Sequence, residues 1–126
     1  MIFDTDVLIW ALRGHPLALE TIEEDEDRYI SVAVNMELVY RVRDNRELRE
    51  LRSFLKMFPS LPLSEAIGRR ALRYLEDLAL KVGIDPMDTI IAATAVEHDL
   101  TLCTGNVKHY RHVPELKLSP FDRFAD

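Results

Sequence analysis

Asp4 and Asp6 interrupt an apolar run at the start of the chain, MIFDTDVLIW. Burying an ionised carboxylate without a partner costs several kcal/mol or more, so such acids belong at a strand's wet end or beside a cation. In open parallel sheets, sites form outside the carboxyl ends of the strands, which makes Asp4 the anchor. Two further acids take comparable places. Glu37, in SVAVNMELVYR, lies in the first turns of the helix expected after the second strand. Asp88, in DPMDTI, lies in the first turn of the helix opened by Asp85–Pro86. If folding brings Asp4, Glu37 and Asp88 to one edge, their charges repel, and a divalent cation is the simplest way to hold them. Magnesium or manganese suits oxygen donors of this kind, retaining waters alongside one or two carboxylates and a phosphate. No Cys–His spacing suggests zinc. Two such ions about 4 Å apart serve phosphodiester hydrolysis by activating water and stabilising the leaving oxygen.

Each acid also has a purely structural role open to it. Asp88 stands three after Asp85, the spacing of a capping box, although Ala92 and Ala95 continue its face with small residues that leave room alongside. Glu37 is placed to pair with Arg41 one turn on, and Asp6 to cap the helix that follows it. The segment LTLCTGNVKHY adds polar groups beyond another strand end: Thr104 and Asn106 to orient water or a bound oxygen, and Gly105 to let a ligand approach the backbone. A simple Thr–Gly–Asn turn is the alternative. His109 is a site residue or a surface imidazole beside Lys108, and the other three histidines have no partner at ligand spacing.

The elements that must position these groups alternate between strand and helix. Ile2–Phe3 reads as a first strand and Asp6–Leu12 as a helix, with a break at Gly14–His15–Pro16 and a short helix over Leu17–Glu24. The β-branched run Tyr29–Ala33 predicts a second strand, followed by a helix over Asn35–Arg43. Helical spacing of Leu48, Leu51, Leu55 and Phe58 predicts Arg46–Phe58, and Leu61 sits in a short extended piece between two prolines. Ser64 caps a long helix over Glu65–Lys81, closed by Gly83. The Asp85–Pro86 helix runs to about His98. Leu100–Cys103 and Leu116–Leu118 are the last strands, with a short turn of helix over Asn106–Tyr110. The alternation predicts α/β, a central mostly parallel sheet covered by helices on both faces.

Length suits one domain over residues 1–126, large enough for a core without disulfides. The single cysteine, Cys103, lies in an apolar run and reads as a small buried hydrophobe in a reducing compartment. With no run of the roughly 18 apolar residues a bilayer requires, and no signal-peptide pattern, the expected location is cytoplasmic. Residues 1–27 carry eight acids and one base, Arg13, which accounts for more than the whole net charge of -6. That balance argues against nonspecific electrostatic binding to nucleic acid but leaves room for a nuclease with a local basic patch. Of the basic residues on the fourth helix, most read as a solvated face, while Lys108 and Arg111 adjoin the proposed site.

Taken together, IFDTDVLI, SVAVNMELVYR and DPMDTIIAATAVEHDLTLCTGNVKHY resemble the PIN-domain ribonucleases, most closely the VapC toxins of type II toxin–antitoxin pairs. The resemblance covers essentially the whole chain, in motif order and spacing. It implies a three-layer α/β/α sandwich, often a homodimer, that cleaves single-stranded RNA or loops of structured RNA with magnesium or manganese. It also implies a small antitoxin whose C-terminal segment binds over the site. Asp4, Glu37 and Asp88 match the family's first three acids. At the two candidate positions for the fourth stand Asn106 and His109, neither a carboxylate, with Asp6 nearby to compensate; Gly105 stands where the family often has arginine. Two rivals follow. The D-x-D strand end also resembles the haloacid-dehalogenase phosphotransferases, with Asp4 as nucleophile and Asp6 as acid–base, though that family's downstream acidic pair is missing. The other rival is a non-catalytic binding module that keeps the acids as a partner surface.

Overall fold

Five short strands carry the site, and all of them run parallel. In the computed structural model, which describes residues 1–125, they are β1 (Ile2–Phe3), β2 (Ile30–Ser31), β3 (Ser60–Leu61), β4 (Leu102–Thr104) and β5 (Leu118–Pro120). β1, β4 and β5 form one ladder and β2 and β3 another, joined by a parallel bridge between Ile2 and Tyr29. The resulting order is β3–β2–β1–β4–β5. The chain therefore leaves β1 towards one edge and later returns to β4 on its other side. That reversal makes the carboxyl ends of β1 and β4 the switch point where open parallel sheets place their sites.

Among the described residues seven helices cover the sheet in a three-layer α/β/α arrangement. α1 (Thr5–Leu12) packs on α2 (Pro16–Glu24) and α3 (Val32–Arg41), and α3 also meets α4 (Asn45–Leu55). α5 (Glu65–Val82) pairs along its length with α6 (Pro86–Glu97), and α7 (Val107–Tyr110) lies against β5. The starts and stops are local chemistry. Asp4, Ser31, Asp44, Ser64 and Asp85 each accept a backbone N–H at the first turn of α1, α3, α4, α5 and α6, satisfying donors no helix satisfies itself. Gly83 ends α5 at φ 73°, in the left-handed region where a glycine costs least.

Ile2, Phe3, Ile30 and Leu102 are fully buried and fill the sheet's interior, with Phe3 edge-on to Phe58 at 5.8 Å. Each such side chain contributes about 1.5–3 kcal/mol of hydrophobic stabilisation. Cys103 is buried in the middle of β4, as its apolar setting predicts. Among the described residues no helix is long and apolar enough to cross a membrane.

Several boundaries differ from those the sequence predicts: α3 ends at Arg41 rather than Arg43 and α4 at Leu55 rather than Phe58, and the strands shift as well. The second strand is only Ile30–Ser31, because the Ser31 hydroxyl caps Ala33 and starts α3 at Val32, three residues early. Tertiary context outweighs the β-propensity of Val32 and Val34 there. The last two strands sit one to two residues later than expected, ending at Thr104 and Pro120. For β4 this matters: Thr104 is the strand's final residue and points its hydroxyl into the site.

Candidate active site

Asp4 is the residue around which the site closes. Its backbone N–H donates to Cys103 in β4, and its side chain is 5% exposed. Oδ1 accepts the Thr5 N–H at 2.8 Å, capping α1, and Oδ2 accepts the Thr104 hydroxyl at 2.7 Å. Thr104 Oγ1 in turn accepts the Asn106 N–H at 2.9 Å. A second acid is tied to the first through Tyr110. Its hydroxyl donates to Asp88 Oδ1 at 3.1 Å and lies 3.5 Å from Asp4 Oδ1. Glu37, on α3, accepts the Thr5 hydroxyl at 2.8 Å. Five elements thus meet at one edge: β1, β4 and the first turns of α1, α6 and α7, with α3 leaning in.

Burial, reinforced by the neighbouring charge of Asp6, pushes the Asp4 carboxyl up to about 7, against the hydrogen bonds from Thr104 and Thr5. Burial likewise raises Asp88 to about 6, helped by the negative charges of Asp85 and Glu37. Asp6 is also raised by burial, although the N–H groups of Gly105 and Val7 oppose the shift. Burial and the surrounding acids drive the Tyr110 phenol well above its ordinary range, so it stays a donor. The electrostatic signature is a pocket of negative charge short of positive partners.

All seven predicted site residues come to this edge. Asp88 receives only half of a capping box: Asp85 accepts its N–H at 3.0 Å, while its own carboxylate turns to Tyr110. Glu37 does not pair with Arg41. Asp6 does not cap α1, since Asp4 does; instead Asp6 Oδ2 accepts the Gly105 N–H at 2.9 Å and pins the β4–α7 turn to α1. Gly105 is needed for that approach, because a Cβ there would sit 2.6 Å from the same oxygen. The Asn106 amide donates to His109 Nδ1 at 3.2 Å, and that nitrogen lies 4.0 Å from Asp88 Oδ2. His109 thus borders the site while its side chain remains 36% exposed. Asp6, held by two backbone N–H groups, is poorly placed for the acid–base role of a phosphotransferase.

The expectation of three carboxylates meeting directly needs refinement. Among the described residues no group of three His, Cys, Asp or Glu side chains is arranged to hold a metal ion as it stands. Hydroxyls stand between the acids, Tyr110 between Asp4 and Asp88 and Thr5 against Glu37, as repulsion between like charges requires. Thr5 and Tyr110 are the two site residues that spacing along the chain does not single out. Their signals were faint: a threonine between two acids, and a tyrosine one helical turn beyond Asn106. The donor set remains entirely oxygen, buried and electron-rich, which fits a small hard cation.

Fold and site together define a class, and the comparison of sequences agrees: the chain belongs to the PIN domain family, which matches residues 1–116. Among its relatives is Ribonuclease VapC19 of Mycobacterium tuberculosis, 36% identical over 92% of this chain and 96% of that protein. Among solved structures, a toxin-antitoxin complex from Klebsiella pneumoniae superposes with a TM-score of 0.82 at 26% identity, covering 96% of this chain and 98% of the other. VapBC2 from Rickettsia felis, bound to a DNA fragment from its promoter, gives 0.80 at 26% identity over 97% and 100% of the two chains.

Proposed function

We propose that this protein is a metal-dependent endoribonuclease, the toxin of a toxin–antitoxin pair, that hydrolyses RNA phosphodiester bonds at the Asp4–Asp88 edge. The observation that carries the reading is the Tyr110 hydroxyl standing between a buried and a half-buried carboxylate whose protons are held up to about 7 and about 6. Relatives named as ribonucleases, and neighbours solved as toxin–antitoxin complexes, support it. Asp4 and Asp88 would hold a magnesium or manganese ion, with Glu37 completing the set. Bound there, such an ion supplies positive charge against the phosphate and makes water more acidic.

The chain's own residues do the rest. Thr104 fixes the Asp4 carboxylate by donating to Oδ2, and Tyr110 sets the spacing of Asp4 and Asp88 by donating to Asp88 while lying 3.5 Å from Asp4. Thr5 ties Glu37 to α1. Asn106 and His109 line the opening, where the amide and imidazole can bind phosphate oxygen or orient water. The antitoxin's place is a cavity of about 570 Å³, a groove between α1, α3 and α4 walled by Ile9, Leu12, Leu38 and Leu51 and rimmed by Arg41, Arg43, Glu47 and Glu50. Grooves of this shape take the apolar face of an amphipathic helix.

The test is cleavage of RNA with and without magnesium, wild type against Asp88→Asn. Wild type cleaves only with the ion, and the variant is slower by about a hundredfold or more, the scale of losing one electrostatic group in an active site. Equal rates would end the assignment. A second reading, a non-catalytic binding module, is favoured by Asn106 and His109 standing where a fourth carboxylate was sought; it predicts no cleavage under either condition.

A further inference from the structure

Beside the acidic edge lies a second feature that the carboxylate chemistry does not use. Asp6 and Gly105 form one wall of a cavity of about 320 Å³ whose other walls are Trp10, Phe121, Asp122, Arg123 and Phe124. Its volume is at the small end of ligand pockets, about 300–1,000 Å³. The Arg123 guanidinium lies over the Trp10 ring at 4.9 Å and over the Phe124 ring at 4.7 Å. The Arg13 guanidinium lies over Trp10 as well, at 5.2 Å. The arrangement is built rather than incidental. Phe121 N–H donates to the Thr104 carbonyl at 2.8 Å, fastening the C-terminal segment to the site's own strand. His15 Nε2 donates to the Arg123 carbonyl at 2.8 Å, while its ring stands edge-on to Trp10 and Phe121.

Two observations say what this surface takes. Phe124 is 79% exposed, so the arginine–aromatic contacts do not serve to hide it. And Arg13 and Arg123 stand on Trp10, next to an edge that holds Asp4, Asp6 and Asp88. An acidic site repels a phosphate backbone, so cations are needed at its rim, and here they are stacked on aromatic rings. Guanidinium planes and aromatic faces are the surfaces on which unpaired bases stack, with arginine also meeting phosphate. We infer that Trp10, Arg123 and Phe124, with Arg13 beside them, form the base-stacking platform for the single-stranded RNA segment next to the phosphate to be cut. The inference rests on the nuclease reading, whose substrate it places.

Trp10 is the chain's only tryptophan and reports on its own contacts. The experiment titrates a short single-stranded oligoribonucleotide into the Asp88→Asn protein with magnesium, following tryptophan emission and, separately, anisotropy of labelled RNA. RNA quenches the emission saturably, and an abasic strand with the same phosphates quenches far less. Phe124→Ala and Arg123→Ala each weaken binding by about tenfold to a hundredfold, the range for one lost stack. Arg69→Ala, an equal loss of charge on the far helix α5, leaves binding unchanged. Circular dichroism melts show whether the variants keep the fold. Cleavage of the same RNA by wild type, with no quenching and full affinity in both alanine variants, overturns this inference and leaves the nuclease reading standing. Quenching without cleavage supports the platform and removes the nuclease. Neither signal removes both.

Discussion

Tyr110 shows how much one hydroxyl decides at this site. It donates to Asp88 and lies within reach of Asp4, and the bond lowers the Asp88 pKa against a larger rise from burial. Tyr110→Phe keeps the buried ring and removes only that donor, so the Asp88 pKa rises further above about 6. A hydrogen bond to a charged group is worth about 1.5–3 kcal/mol. The acid limb of the pH–rate profile therefore moves to higher pH, and cleavage at neutral pH falls about tenfold or more, recovering partly as pH rises. An unchanged pH profile in the variant would reduce Tyr110 to a packing residue. Thr104→Val acts on Asp4 in the same direction, because the lost hydroxyl also favoured the ionised form. Asp4, Glu37 and Asp88 were legible in the sequence because an acid within an apolar run, or in a helix's first turns, stands out by type. Tyr110 and Thr5 were not, because a tyrosine among apolar residues and a threonine at a helix start are ordinary until the fold shows which acids they touch.

At the scale of elements, the β4–α7 turn is locked to α1 by one contact, Asp6 on the Gly105 N–H. Gly105→Ala forces a Cβ onto Asp6 Oδ2, and overpacking of this kind costs about 1–3 kcal/mol. We expect a lower denaturation midpoint and weaker cleavage, and a smaller stability cost when Asp6→Ser is already present. Additivity of the two changes would show that the contact does not couple them. The groove between α1, α3 and α4 makes a different forecast. Leu12, 45% exposed, lines it without entering the core. Leu12→Glu should weaken binding of the antitoxin about tenfold or more in a pull-down or calorimetric titration, while the melting temperature and RNA cleavage hold. Hydrophobic spacing and capping residues specify the element types here, but they do not specify where the strands end. Strands of two or three residues carry too little alternation, and Ser31 reads equally well as the middle of a strand or as the cap it is.

Asp4, Asp6, Glu37 and Asp88 meet at one end of a parallel sheet, and the molecule's stability should register that. Asp4 and Asp88 have folded pKa values of about 7 and about 6, raised from 3.8. Their protonated forms favour the fold, so the stability they lend is fully present below pH 3.8 and is lost as pH climbs through 6 and then 7. Each unit of difference is about 1.4 kcal/mol, so Asp4 alone accounts for an effect on the order of a few kcal/mol. Without divalent cations, the melting temperature contributed by these groups falls across that window, and Asp4→Asn flattens the fall. The switch-point topology, with β1 and β4 side by side, was beyond what spacing along the chain could show. It needed the pairing of Ile2 with Leu102, a hundred residues away. The most direct measurement is a calorimetric titration of manganese into wild type, Asp4→Asn and Asp88→Asn at a pH above 7. Saturable binding to the wild type and its loss in both variants is the predicted result. Absence of binding to the wild type, or equal binding to all three, would contradict a shared cation site at this edge.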